Sequence, residues 1–129
     1  MKRQQIALGF LVVAVLVLAA GCDLFGRSID ATISKFQDYL NTNDRSQIYT
    51  ILDSSASKYS QVTGSYWDNG FPKGETYTIS ASGSGTSASG TISSTTTYSG
   101  GKAIVFSFTK NGFDNVISSI VIAGTTIFN

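Results

Sequence analysis

Few side chains in this sequence are of the types that carry out covalent or acid-base chemistry. Cys22 is the only cysteine in the chain, and histidine is absent. A Ser-His-Asp or Cys-His arrangement is therefore impossible, and a zinc site built from histidine and cysteine is excluded as well. A single cysteine also cannot form an internal disulfide bond. What remains is covalent modification of the thiol, catalysis by a carboxylate, or no catalysis at all.

The positions of the acidic residues are typical of structural rather than catalytic groups. We expect Ser28 or Asp30 to cap a helix, Asp44 to lie in the first turn of a second helix, and Asp114 to lie in a turn. No acid falls on an apolar strand face, where burial would raise its pKa for acid-base work. The nearest approach to a catalytic pair is Asp68 with Tyr66. We therefore predict that the protein is not an enzyme and has no metal and no cofactor.

The N-terminal segment explains why the chain carries one cysteine. Lys2 and Arg3 are followed by an uncharged, apolar run over residues 6–20. This run is shorter than the roughly 20 residues that span a hydrocarbon layer, and it is typical of a signal-peptide core. It ends in Leu18-Ala19-Ala20-Gly21-Cys22, which resembles the lipobox of bacterial lipoprotein precursors.

The resemblance implies cleavage between Gly21 and Cys22 and a diacylglyceryl thioether on the cysteine, often with a third acyl chain on the new amino terminus. Two or more acyl chains hold a protein stably on a membrane, whereas one binds only marginally. We expect residues 1–21 to be the signal peptide and residues 22–28 to be the lipidated cysteine and a short tether. The domain would face the periplasm or the exterior, anchored to the cell membrane or the outer membrane.

The charge of the remaining chain excludes two other modes of attachment. Removal of Lys2 and Arg3 from nine basic residues leaves seven, against eight acidic residues, so the net charge is −1. The remaining chain has no run of basic residues, so it lacks the positively charged surface with which a protein binds nucleic acid or an anionic membrane. The tether up to Ser28 reaches roughly 20 Å when extended. Within it, Leu24 and Phe25 either touch the membrane interface or pack onto the domain.

Helices are predicted in the first half of the domain. A stripe at helical spacing predicts a first helix, and a second apolar face after Asn43-Asp44 predicts another. The residues of the first stripe are Ile29, Ile33, Phe36 and Leu40, and those of the second face are Ile48, Ile51 and Leu52. Residues 54–59 fit the start of a third short helix, which would end near Gly64.

Strands are predicted from Gly74 onward, where the apolar period changes to two. Tyr77, Ile79 and Ala81 alternate with polar residues in the first strand. Further strands are expected over residues 86–99, 102–109 and 116–128, with a hairpin at Asn111-Gly112 and a bulge or bend at Ala123-Gly124. The Ser/Thr/Gly-rich residues 80–100 fit either strands with one solvated face or a flexible linker. A weakly held hairpin tip is expected over residues 82–87.

These elements predict an α+β domain over residues 29–129, with two or three N-terminal helices packed on a curved antiparallel sheet of about four strands. The order of helices before hairpin-connected strands is similar to the NTF2-like (cystatin-like) family. The segment from Asn43 to Leu52 looks like the second helix of that family. The resemblance implies a sheet that wraps the first helix and leaves a pocket at its open end.

Aromatic side chains near the middle of the chain are the candidate ligand-binding residues. They are Tyr66, Trp67 and Phe71, joined by Tyr77 and Phe106 from the strands. The alternative is that Trp67 and Phe71 fill one end of a small core. A cavity lined by these rings favours binding of a small apolar ligand or an envelope protein. A closed interface between helix and sheet favours a structural or accessory envelope lipoprotein with no ligand, and an NTF2-like enzyme would require a buried carboxylate.

Overall fold

The structure, a computed structural model, describes residues 26–42, 44–63 and 65–129. Cys22, the cleavage site and the alternative contacts of Leu24 and Phe25 lie outside these residues. The described elements are one α-helix, α1 (Ile29–Leu40), 3-10 helices at Ser46–Ile51, Tyr59–Gln61 and Tyr66–Asp68, and strands β1 (Tyr77–Ser84), β2 (Ser87–Ser94), β3 (Lys102–Asn111), β4 (Asp114–Ile122) and β5 (Thr125–Phe128). The strands form one antiparallel sheet in the order β1-β2-β3-β4-β5.

The first predicted helix is confirmed as α1. Ser28 is its N-cap, and the Ser28 hydroxyl accepts a hydrogen bond from the backbone N–H of Ala31 at 3.1 Å. Asp30 lies in the first turn, where a carboxylate is favourable to the helix dipole. The predicted stripe is buried, at Ile29, Ile33, Phe36 and Leu40. In the described ranges, no helix is both long and apolar enough to cross a membrane.

The predicted numbers of helices and strands are wrong. In place of two or three helices on about four strands, the described domain has one α-helix and three 3-10 helices on five strands. Among the described helices and strands, most residues therefore lie in strands. The resemblance to the NTF2-like family stays a prediction.

The second predicted helix is a 3-10 helix, Ser46–Ile51. The Asp44 carboxylate does accept hydrogen bonds from the backbone N–H and the hydroxyl of Ser46, at 3.0 and 2.6 Å. The segment is only six residues long and rich in β-branched side chains, which disfavour an α-helix. Leu52 is already extended and forms a parallel bridge with Ile117 of β4. The pairing with the sheet thus ends the helix.

The third predicted helix is replaced by turns and the short 3-10 helix Tyr59–Gln61. The Asp53 carboxylate accepts a hydrogen bond from the backbone N–H of Ser55 at 2.9 Å, which stabilises a turn. The backbone N–H of Lys58 donates to the carbonyl of Asn129 at 2.7 Å rather than to its own segment. This segment is therefore tied to the C-terminus of the chain.

The single strand predicted over residues 116–128 is a hairpin of β4 and β5. Ala123 and Gly124 have φ of 50° and 82°, and Ile122 pairs with Thr125 on either side of them. Positive φ at both central residues is characteristic of the tight turn that suits the twist of a hairpin. The predicted bend is therefore a complete reversal of the chain, and it supplies the fifth strand.

A β-bulge decides which face of β4 meets the core. Phe106 pairs with Ile120 and Phe108 with Ile117, so that Ser118 is unpaired at a register shift. The extra residue places Ile117 and Ile120 on the same face although they are three positions apart. Both are fully buried in the hydrophobic cluster.

The Ser/Thr/Gly-rich residues form strands with one solvated face, the first of the two interpretations of this segment, rather than a flexible linker. β1 and β2 pair from Tyr77 and Ser94 to Ser84 and Ser87, around a two-residue turn. Their solvent-facing side chains are mainly serine and threonine, and Tyr77, Ala88 and Ile92 are buried on the other face. Residues 82–87 are exposed, as expected of a hairpin tip.

The core lies between α1 and one face of the sheet. The helix contacts both β1 and β4, which are not neighbours in the strand order. The sheet must therefore bend around the helix. The loop that contains Trp67 and Phe71 lies at one end of this arrangement, and the point at which the chain enters the domain lies at the other.

Candidate functional site: the aromatic cluster and the Tyr66 groove

The aromatic loop is a short 3-10 turn, Tyr66–Asp68, that is closed by backbone hydrogen bonding. The backbone N–H of Phe71 donates to the carbonyl of Trp67 at 2.7 Å. This bond turns Trp67 and Phe71 toward the sheet, where their side chains are 1% and 0% exposed. Tyr66 remains half-buried at the edge of the loop.

The predicted ligand-binding residues converge on the Phe36 ring of α1. Trp67, Phe71 and Phe106 each pack edge-on against it, with ring centroids at 5.6, 5.6 and 5.8 Å. Tyr77 packs edge-on against Phe71 at 5.6 Å. We call these five residues the aromatic cluster. Such edge-to-face pairs contribute about 0.5–1.5 kcal/mol each beyond area burial.

The rings of the aromatic cluster contact one another directly and fill the space between α1 and the sheet. Trp67, Phe71, Tyr77 and Phe106 are all at most 1% exposed. This is the arrangement expected if the aromatic side chains complete the core. Among the predicted binding residues, Tyr66 is the one with a partly exposed ring, and it packs edge-on against Trp67 at 5.0 Å.

Arg45 holds the aromatic loop against the helix, a role that no local sequence pattern indicates. Its side chain is buried, and its guanidinium donates to the carbonyls of Leu40 and Phe71 and, at 3.1 Å, to Asp68 Oδ1. It also lies 5.9 Å from the centre of the Tyr77 ring. The planar guanidinium can serve several acceptors at once, which a lysine cannot. Arg45 thus links the end of α1 to the aromatic loop.

The tyrosine hydroxyls around the aromatic cluster donate hydrogen bonds to backbone carbonyls. Tyr66, Tyr77 and Tyr98 donate to the carbonyls of Ile127, Pro72 and Gly70, at 2.9, 2.5 and 2.6 Å respectively. Burial raises the pKa of all three, and it raises that of Tyr77 to about 12 with a contribution from the nearby Glu75 charge. These hydroxyls are therefore neutral at physiological pH and serve as structural donors.

The candidate catalytic pair of Asp68 and Tyr66 is not brought together. Asp68 Oδ1 accepts from Arg45, its other oxygen lies 4.0 Å from Lys73 Nζ, and the Tyr66 hydroxyl donates to Ile127. Within the described ranges no three acidic, cysteine or histidine side chains form a group that could hold a metal ion.

A shallow groove lies beside the aromatic loop, and we call it the Tyr66 groove. Its volume is about 380 Å³. The lining residues are mostly uncharged hydrogen-bonding side chains from three segments of the chain: Gln61, Thr63, Ser65, Tyr66, Trp67, Asn69, Gly70, Thr126 and Ile127. The groove is therefore polar, unlike the cavity lined by aromatic rings that would favour a small apolar ligand.

One residue that lines this groove carries a buried donor. Trp67 Nε1 is buried and has no hydrogen-bond partner among the described residues. A buried indole N–H usually finds an acceptor. Trp67 therefore combines a ring packed in the core with a donor that the described part of the domain leaves unused.

Models of known protein families, curated proteins and solved structures were compared with this chain, and none matches it. Its function therefore has to be argued from its own residues.

Glu75 organises the loop between β2 and β3. Its carboxylate accepts hydrogen bonds from the Ser94 hydroxyl and from the backbone N–H groups of Thr96 and Thr97, each at 2.7 Å, and from the Thr97 hydroxyl. The hydrogen bonds from Thr97 are the main cause that lowers its pKa to about 2. Glu75 is consequently a charged structural acceptor rather than a proton donor.

Proposed function

We propose that this protein is a lipid-anchored accessory protein of the bacterial envelope, held on the membrane by acyl chains on Cys22. The observation that carries the proposal is the order of three features: the basic start at Lys2 and Arg3, a short apolar run, and Leu18-Ala19-Ala20-Gly21-Cys22. Each feature alone is common, but their succession is what lipoprotein export and acylation require.

The start of the folded domain supports this proposal. The backbone N–H of Arg27 donates to Asp114 Oδ1 at 2.6 Å, and the carbonyl of Arg27 accepts from the Asn115 backbone at 2.9 Å. Arg27, which these bonds fix to β4, is only five residues after Cys22. A segment of this length is sufficient as a tether but too short to form a further domain.

We further propose that the domain is non-catalytic and acts through its outer surface. The filled aromatic cluster supports this part of the proposal, because it occupies the position where an internal ligand pocket was expected. Contact with a neighbouring envelope component needs no internal cavity. It is also compatible with the nearly neutral, hydroxyl-rich surface of β1 and β2.

The anchor is tested by expression of the full chain in a bacterial host and intact mass measurement of the membrane fraction. We expect a mature chain that begins at Cys22 and carries the mass of at least one diacylglyceryl group. The matched variant Cys22→Ser should keep its signal segment and lose the added mass. A mature chain that begins at another residue, or one without acyl mass, would refute the anchor.

A second candidate function is binding of a small uncharged ligand in the Tyr66 groove. The unpartnered Trp67 Nε1 beside a polar groove of about 380 Å³ favours it. Native mass spectrometry of the lipidated protein, purified in detergent from its own host, would reveal a co-purifying molecule. An adduct that is lost in Asn69→Ala, with the fold intact, supports a ligand. An adduct-free protein supports the accessory role.

A further inference from the structure

The turn between β3 and β4 presents an aromatic ring to solvent. Asn111 pairs with Asp114, so the two residues of the turn are Gly112 and Phe113. Gly112 has φ of 64°, the left-handed conformation that glycine adopts without strain at the first position of such a turn. The Phe113 side chain is 77% exposed.

Phe113 is the most exposed large hydrophobic side chain in the described part of the chain. The other two are Tyr49, at 50%, and Val105, at 40%. A single exposed apolar residue is common on protein surfaces. The position of Phe113 relative to the proposed anchor is what distinguishes it.

The chain enters the domain against this same turn. Gly26 has φ of 90°, and a Cβ at that position would collide with the backbone carbonyl of Phe113. Only glycine permits this close approach. The next residue, Arg27, is fixed to β4 through Asp114 and Asn115, since Asn115 donates to its carbonyl from both the backbone and the side-chain amide. The first described residues and the Phe113 turn therefore form one unit.

The length of chain between this unit and Cys22 sets how far the turn can lie from a membrane. Cys22 is four residues before Gly26, and four extended residues reach at most roughly 14 Å. With the acyl chains of Cys22 in the bilayer, this short reach keeps the β3–β4 turn in or next to the interfacial layer of the membrane. An exposed phenylalanine at that distance gains free energy by entering the interface.

We propose that Phe113 inserts into the interfacial layer of the membrane that holds Cys22, as a second contact that fixes the orientation of the domain. This inference rests on the proposed lipid anchor. The partner that the exposed ring contacts is the lipid surface itself, because the tether keeps the ring close to that surface.

The charges near this end predict how the contact depends on lipid composition. Lys110 and Asp30 line a surface depression beside the start of α1. At the entry of the chain the backbone N–H of Arg27 donates to Asp114 Oδ1, while the Arg27 guanidinium donates to the Thr32 hydroxyl and the Asn115 carbonyl. These two cations and two anions give this end a net charge of about zero. Insertion is therefore driven by the apolar ring and should be equally strong on zwitterionic and anionic vesicles.

The orientation follows from the sheet. The start of α1 lies at the same end of the domain as the β3–β4 turn, because the Thr32 hydroxyl in the first turn of α1 donates to the carbonyl of Asn115 at 2.8 Å. In the proposed orientation this end faces the bilayer. The β2–β3 loop, which contains Ser99, lies at the opposite end of β3 and faces away from the membrane. Ser99 is exposed and provides a matched control position.

The test uses the lipidated full chain in phosphatidylcholine vesicles. Because lipid occupies the Cys22 sulfur, Phe113→Cys introduces the only free thiol, which is labelled with an environment-sensitive fluorophore. We expect blue-shifted emission and strong quenching by nitroxide lipids in the bilayer. Ser99→Cys, labelled in the same way, should show neither effect.

The outcomes separate the inference from the proposed anchor. If the protein floats with the vesicles but the label at position 113 is as solvent-exposed and unquenched as the label at position 99, the insertion of Phe113 is wrong and the anchor stands. If the purified chain carries no acyl mass and does not float, the anchor is wrong. Unchanged thermal unfolding of Phe113→Cys excludes a folding defect, as its exposure leads us to expect.

Discussion

The side-chain amide of Asn41 forms with Tyr77 the two backbone hydrogen bonds that a neighbouring strand would form. The Tyr77 N–H donates to Asn41 Oδ1 at 2.7 Å, and Asn41 Nδ2 donates to the Tyr77 carbonyl at 2.9 Å. One turn earlier in α1, Gln37 Oε1 accepts from the Ile79 N–H at 2.7 Å. The free edge of β1 is thus covered by the helix that precedes it. An uncovered edge strand invites pairing with another molecule.

Asn41→Ala should therefore destabilise the domain and expose the edge. Loss of two hydrogen bonds should lower the free energy of unfolding by about 1–3 kcal/mol. Urea unfolding measures the loss, and size-exclusion chromatography should show added self-association. The control is Ser34→Ala at an exposed position of α1. Equal stability of the two variants would mean that the Asn41 bonds contribute nothing.

Arg45→Met should be more destabilising than Asp68→Asn. The first change leaves the buried carbonyls of Leu40 and Phe71 without these donors and should cost about 2–5 kcal/mol. In the second, an acceptor for the guanidinium remains, at a side chain that is 35% exposed, so the loss should be about 1 kcal/mol or less. The fluorescence of Trp67, the single tryptophan, reports unfolding beside the same loop. Losses of equal size would contradict the assigned role of Arg45.

The hydrogen bonds of Glu75 predict a dependence of stability on acid. Its pKa is lowered on folding, from 4.5 to about 2. A carboxylate of this kind stabilises the folded state above its unfolded pKa, and that contribution is lost as the pH falls from about 4.5 to about 2. The melting temperature of the wild type should fall over this range by more than that of Glu75→Gln. Glu75 is also the only glutamate, so carbon-labelled glutamate gives one side-chain signal whose titration can be followed directly by NMR. A midpoint near 4.5 would contradict the structure.

Substitutions at the aromatic loop should distinguish a residue of the core from a residue that only lines the Tyr66 groove. Trp67→Ala removes a buried ring and should lower the free energy of unfolding by about 3–5 kcal/mol. Asn69→Ala, at an exposed position of the Tyr66 groove, should change it by no more than about 0.5 kcal/mol. Circular dichroism with thermal unfolding distinguishes the two. A folded and fully stable Trp67→Ala variant would show that this residue is not part of the core.

The local interactions of the chain explain how far the sequence alone could be interpreted. Helix α1 was predictable because its N-cap and its apolar stripe lie within one short continuous segment, from Ser28 to Leu40. The strands from Tyr77 onward were predictable because alternation and two-residue turns are also local signals. The anchor at Cys22 was predicted in the same way, from contiguous residues, and it stays a prediction.

The features that were predicted wrongly depend on contacts between residues that are distant in the sequence. The short helix after Asp44 ends because Leu52 pairs with Ile117, 65 positions further along the chain. The alternation of inward-facing and outward-facing side chains in β4 shifts at a bulge, and this bulge is defined only by the pairing with β3. No local pattern encodes either contact.

The sequence by itself therefore determined helix α1, the extended character of the chain from Tyr77 onward, and the position of the single thiol. Only the tertiary structure decided that the aromatic candidates fill the core, that Arg45 secures their loop, and that Phe113 lies beside the entry of the chain. The physical reason is that burial and hydrogen-bond satisfaction are properties of the assembled domain. Side chains far apart in sequence compete for the same interior, and the outcome depends on all of them together.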